Sequence, residues 1–250
     1  MRLHDAARDL EIRLRAGDGE QYLYGHFAGR MHADGEERSA QMVYIIMICM
    51  VVPLLLLMTL LDKQARLLLG FVLGGMVLAV SAYEVNSLVC ALFGLSGPEL
   101  SVRAAPVVEE ILKALPVLFF AILVSDDRKQ VLQLAMAVGI GFAILENAFL
   151  LITYADQVNI GWAVVRGVST SLSHGICTMI VGCGIMFVHK QKKLFYTGTF
   201  ALLAAAMTLH AIFNLLIQSP YDYVALALPI VIYAIFWIVK LQKKPSQAVS

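Results

Sequence analysis

Two adjacent glutamates and a lysine, Glu109, Glu110 and Lys113, stand in the otherwise apolar stretch PVVEEILKALP at residues 106–116. An ionisable side chain at the centre of a membrane helix costs roughly 2.5 to 3.5 kcal/mol on insertion scales, so such groups persist where they pair, line a cavity or do chemistry. Later apolar stretches carry Glu146 with Asn147, then His174, then His210 with Asn214. Taken singly, a membrane glutamate pairs with a lysine or a carbonyl, and a lone histidine is more often hydrogen-bonded structure than ligand. Taken together, these groups can activate a water molecule in two ways. Glu109 or Glu110 can act as general base while His210 and Asn214 stabilise the oxyanion. Alternatively, Glu146, His174 and His210 can hold a zinc ion that activates the water. HExxH is absent, and no apolar span holds a rhomboid-style GxSG serine or paired aspartates.

The elements that must position these residues follow from composition. The 250 residues are 60% hydrophobic and 15% charged, against roughly 25% charged in soluble domains, which marks a polytopic membrane protein. A net charge of +1 gives no attraction to nucleic acid. The four cysteines, Cys49, Cys90, Cys177 and Cys183, lack zinc-knuckle or CxxC spacing and read as buried small hydrophobes.

Apolar stretches that match a hydrocarbon core of roughly 30 Å at 1.5 Å per residue run over residues 42–61, 67–95, 105–124, 131–154, 164–188, 195–217 and 223–239. The pattern predicts an all-α, polytopic membrane helical bundle with about seven transmembrane spans. The stretch 67–95, interrupted by Glu84 and Asn86, reads as one tilted span or as a span plus a short re-entrant or interfacial piece; Glu84 reads as structural or interfacial. Residues 1–41 form a polar N-terminal segment in which Leu3, Ala7, Leu10 and Leu14 recur at helical spacing, and residues 42–245 form the membrane domain. His26 and His32 read as solvated.

Lysines and arginines orient the bundle. Arg128, Lys129, Lys190, Lys192, Lys193, Lys240, Lys243 and Lys244 gather on one side, against Arg103 and Arg166 on the other, so the first side is expected to be cytoplasmic. Seven spans then put the N-terminal segment outside, and a different span count before residue 100 puts it on the other side, so both placements stand at this point. On this topology Glu109, Glu146, His174 and His210 all lie roughly 6 to 15 Å below the less basic face, at 1.5 Å per residue. Spacing adds pairs within helices: Lys113 is one turn from both glutamates, Phe142 one turn from Glu146, and His210 one turn from Asn214.

EEILK at 109–113, GFAILEN at 141–147, the Arg166 and His174 of RGVSTSLSH, and LHAIFN at 209–214 resemble, in order and content, the motifs of the PrsW family of intramembrane proteases. These are distant relatives of the CAAX prenyl endopeptidases and bacterial CPBP proteins. The resemblance spans about half the chain. It implies an endopeptidase in a bacterial inner membrane that cleaves membrane-anchored proteins or peptides near the extracytoplasmic face, in some members releasing an anti-sigma factor. The bilayer is its setting and nucleic acid is no partner. By motif position, Glu109, Glu110 and His210 are essential and Glu146 and His174 assist, with zinc or no cofactor at all. One departure is Asn214, which stands where some members carry an aspartate; an amide donates to an oxyanion or ligates weakly but is no base. Two readings from other classes remain beside this one: a proton-coupled transporter built on a glutamate–histidine relay, which lacks the expected inverted repeat, and a catalytically idle scaffold for a partner span.

Overall fold

The computed structural model describes residues 33–153, 159–188 and 191–242. The helix expected from Leu3 to Leu14 and the histidines His26 and His32 lie outside the described residues. Those described form helices only: α1 (Ala33–Met58), α2 (Lys63–Phe93), α3 (Gly97–Arg103), α4 (Ala105–Leu123), α5 (Arg128–Thr153), α6 (Ile160–Ile185), α7 (Lys192–Ile217) and α8 (Asp222–Gln242). Four are long and apolar enough to cross a membrane: α2, and the segments Arg128–Leu151, Ala163–Ile185 and Lys193–Ile217 of α5, α6 and α7. Tyr44–Met58 and Asp222–Ile238 are shorter apolar runs in α1 and α8. The 19-residue α4 is apolar apart from Glu109, Glu110 and Lys113, and with these three the bundle reaches about seven spans.

Local sequence explains where the helices start and stop. Residues 67–93 of the stretch 67–95 lie in one continuous helix, α2, of 31 residues. It ends where Gly94 turns left-handed, with φ 61°, and gives its N–H to the carbonyl of Cys90, a conformation that glycine adopts without steric cost. The next residues, which fall between the apolar stretches 67–95 and 105–124, make the separate short helix α3. Its start is fixed by Ser96, whose N–H and hydroxyl both donate to Glu99 Oε2 at 3.1 and 2.8 Å; these bonds, the hydroxyl's first, hold the Glu99 carboxyl below its ordinary range. Pro98 follows in the first turn, where its missing N–H costs nothing. Although GLSG at 94–97 has the letters of a GxSG motif, its serine is spent on this cap.

The two central helices are α5 and α6, whose apolar windows are 61% and 67% buried against 28% for α2 and 17% for α7. Below the polar residues, Val117 and Phe120 of α4, Val131, Leu134 and Val138 of α5, and Val181 and Ile185 of α6 pack into one apolar cluster. Outward-facing Leu56, Leu92, Phe93, Leu123 and Phe200 are exposed, as a lipid-facing rim requires. Cys177 is buried in the core, whereas Cys49 is exposed on α1, contrary to the expectation of burial. α1 packs mainly against α2 and more lightly against α5, so its remaining flank, with Cys49, is left to lipid. Glu84 lies outside the polar cluster and accepts from the Tyr44 hydroxyl at 3.0 Å, tying α1 to α2.

Glycines set how closely α2 and α5 approach. A Cβ on Gly75 would run into the carbonyl of Val138, and one on Gly141 into the carbonyl of Val72, so each helix needs the other's glycine at the crossing. Because the obstacle is backbone, no side-chain movement relieves it. Gly141→Ala is therefore expected to destabilise the bundle by about 3 kcal/mol or more, the upper end for overpacking, whereas Gly74→Ala, which meets nothing within 4 Å, should leave it unchanged. Thermal unfolding of the two variants in detergent checks the contrast.

Candidate active site

The first two turns of α4 carry the acidic cluster. Glu110 and Lys113, three residues apart, point inward and are fully buried, while Glu109 lies on the flank. Lys113 Nζ is the hub. It donates to Glu110 Oε1 at 2.7 Å, sits 2.8 Å from His174 Nδ1 and 3.6 Å from Glu109 Oε2, and its charge lies 4.2 Å from the ring centre of Phe142. Three ammonium hydrogens facing two carboxylates and an imidazole nitrogen account for a lysine with no exposed surface.

The two imidazoles are held by opposite tautomers, assigned from their partners. His210 Nδ1 lies 2.9 Å from Glu110 Oε1. A carboxylate only accepts, so Nδ1 carries the hydrogen and Nε2 keeps its lone pair, 3.8 Å from Glu109 Oε2. His174 Nδ1 accepts from Lys113, so its hydrogen is on Nε2, which stands 2.8 Å from Glu146 Oε2 but out of line for a hydrogen bond. Both Nε2 atoms face the flanking carboxylates. The rings meet edge to face at 4.8 Å. Glu146 is backed by Arg166, whose guanidinium reaches Oε1 at 3.9 Å. Gly139 lets α5 lie against the His174 backbone, where a Cβ would strike the histidine's carbonyl.

The carboxylates and imidazoles named from sequence as candidate site groups are thus in one cluster. Glu109, Glu110, Glu146, His174 and His210 converge from four helices, and Asn214 sits one turn along α7. Its Nδ2 donates one hydrogen to the carbonyl of Ser101 at 2.8 Å, which leaves the second amide hydrogen for another acceptor. Gln218 fixes the same serine through its hydroxyl at 2.6 Å. Sequence reasoning missed that Lys113 bridges to His174, that Phe142 lies under its charge, and that α3 is bonded to α7. The first two carried a signal, since Lys113 and Phe142 were each one turn from a glutamate; Ser101, a small polar residue between two apolar stretches, carried none.

The cluster fits a metal cation by its donors. One ligand atom each from Glu109, His174 and His210 lie within 4.8 Å of one another. The second oxygens of Glu109, Glu110 and Glu146 are buried without a hydrogen-bond partner, and the cluster sets three carboxylates against two permanent cations, Lys113 and Arg166. Unpartnered buried carboxylate oxygens beside imidazoles are what a two-histidine, one-glutamate site presents. Glu146, expected from sequence as the carboxylate ligand, adjoins His174, while Glu109 completes the three-residue group.

The model of a protein family described as PrsW family intramembrane metalloprotease matches residues 63–240, from the start of α2 into the last helix. No match is found among curated proteins or solved structures.

Proposed function

Since the chain belongs to the PrsW family of intramembrane metalloproteases, we propose that it is an endopeptidase hydrolysing membrane-anchored proteins at the cluster of Glu109, Glu110, Glu146, His174 and His210. The observation that carries this reading is the division of labour between adjacent glutamates. Glu110 is committed to Lys113 and to His210 Nδ1, which orients the imidazole and raises its basicity. Glu109, held only at 3.6 and 3.8 Å, keeps an unpartnered oxygen beside the lone pair of His210.

Glu109, His174 and His210 would hold a divalent cation such as zinc, which when bound polarises the scissile carbonyl and acidifies water. His174 would ligate through Nε2 as a neutral imidazole, the Nε2 proton being released as metal loading requires and the Lys113 ammonium, 2.8 Å from Nδ1, supplying the hydrogen that keeps the ring neutral. Glu146 stays ionised and is the general base: it takes a proton from the attacking water and returns it to the amine as the C–N bond breaks, while Arg166 steadies its other oxygen. The free amide hydrogen of Asn214 stabilises the oxyanion.

The cluster faces the extracytoplasmic side in this reading. Lys63 and Arg66 at the start of α2 join Arg128 and Lys129 on the opposite, basic face. The setting is a bacterial inner membrane, and the substrate a protein anchored there, anti-sigma factors being one such class. Elemental analysis of the purified protein tests the metal: about one zinc per chain, lost in His210→Ala, is the expected result. Full cleavage by metal-free protein would contradict the ligand assignment.

A further inference from the structure

A cleft opens directly onto the cluster, between α2 and α5. Below it the two helices are pressed together at Gly75 and Gly141; beyond this crossing they diverge, leaving a cavity of about 140 Å³. Ala79, Tyr83 and Asn86 form the α2 wall, Leu145 and Phe149 the α5 wall, and Glu109, Glu146 and His210 its polar end. Tyr83 and Phe149 meet across the gap with ring centres 5.9 Å apart. Asn86 is the anomaly in this apolar surface. It is more than nine-tenths buried, and its side-chain oxygen has no hydrogen-bond partner, a state that costs about 1–3 kcal/mol without some return.

The dimensions exclude a helical occupant, because an α-helix with side chains is about 10–12 Å across. A cavity of roughly 150 Å³ lined by apolar side chains takes a benzene-sized group, so the cleft suits one bulky apolar side chain on an extended backbone. An extended backbone in apolar surroundings has N–H groups with no intrahelical acceptor, each of which needs one. Asn86 offers an unused acceptor in the same wall.

We propose that this cleft is the subsite for one bulky apolar side chain of the substrate beside the scissile bond, with Asn86 accepting a hydrogen bond from the N–H of that unwound segment. The proposal rests on the protease reading and names the substrate feature that reading leaves open: an apolar residue in a stretch that can leave the helical state. Asn86 acts on the peptide backbone, so it positions many sequences alike, while the cavity selects for side-chain size and against charge.

The test uses the full chain in nanodiscs, comparing wild type with Asn86→Leu, which keeps the shape and removes the acceptor, and Asn86→Asp, which keeps an acceptor oxygen. Cleavage of a single-span substrate, equilibrium binding of a fluorescent peptide from it, and thermal unfolding are measured together. Asn86→Leu should lose about tenfold in kcat/KM and in peptide affinity while its Tm stays equal or rises, because an orphan polar atom is gone. Asn86→Asp should recover most of the loss, and replacing the flanking apolar residue of the substrate by aspartate should reproduce it. Unchanged cleavage in Asn86→Leu would overturn the cleft assignment with the protease reading intact, as would a loss accompanied by a lower Tm and no recovery in Asn86→Asp. If wild type cleaves nothing yet binds the peptide in an Asn86-dependent way, the cleft stands and the protease reading falls; binding indifferent to Asn86 removes the cleft as well.

Discussion

Lys113→Met is expected to lower the unfolding free energy by about 3–5 kcal/mol, the cost of breaking a buried pair by removing one partner, and to abolish cleavage. The size follows from burial. Neither Glu110 nor Lys113 has exposed surface, so the Glu110 carboxylate left behind would face only the His210 imidazole and apolar walls. Activity goes for a separate reason, since Lys113 also sets the His174 tautomer through Nδ1. The double variant Glu110→Gln/Lys113→Met separates the two effects. Replacing both members of a buried pair by neutral groups of similar shape is often harmless to stability, so its Tm should return most of the way to wild type while cleavage stays absent. Wild-type stability in Lys113→Met would show that the pair is not buried as described.

Glu109→Gln should do the reverse, retaining the fold and losing function. Its carboxylate makes no contact shorter than 3.6 Å in the cluster, beyond hydrogen-bond length, so an isosteric amide gives up little native stability. What it loses is the anionic oxygen that, beside His210 Nε2, would complete the metal site with the two histidines. Cleavage should fall by about three orders of magnitude or more, the scale for losing an activating group at such a site, with Tm within a few degrees of wild type as judged by thermal unfolding. The two neighbours on α4 thereby take different roles, Glu110 as the anchor of His210 and Glu109 as the group presented to the substrate cleft.

Much of this arrangement was legible in the sequence, because depth in a membrane is nearly a linear coordinate. Once the spans were marked, a rise of 1.5 Å per residue put Glu109, Glu146, His174 and His210 at one level, and they do converge. Intrahelical pairs were equally readable: Lys113 meets both glutamates as the one-turn spacing required. What sequence spacing could not supply is rotation about each helix axis. That hides which imidazole nitrogen faces Glu110, and it hides the contact of Lys113 with His174, 61 positions away. The short α3 was lost because seven residues carry too little periodicity to separate a helix from a turn. The close crossing at Gly75 and Gly141, which opens the cleft above it, needed both helices in place, since a glycine in an apolar stretch does not say whose backbone it touches.

The central claim is that these converging acids and imidazoles hydrolyse a peptide bond, and the most direct measurement is fragment formation from a single-span protein co-reconstituted in liposomes with purified wild type or Glu109→Gln. Fragments cut near the extracytoplasmic face with wild type, and none with a Glu109→Gln protein of matched thermal stability, are the expected result. Equal fragment yield from both, at the same position, would contradict it.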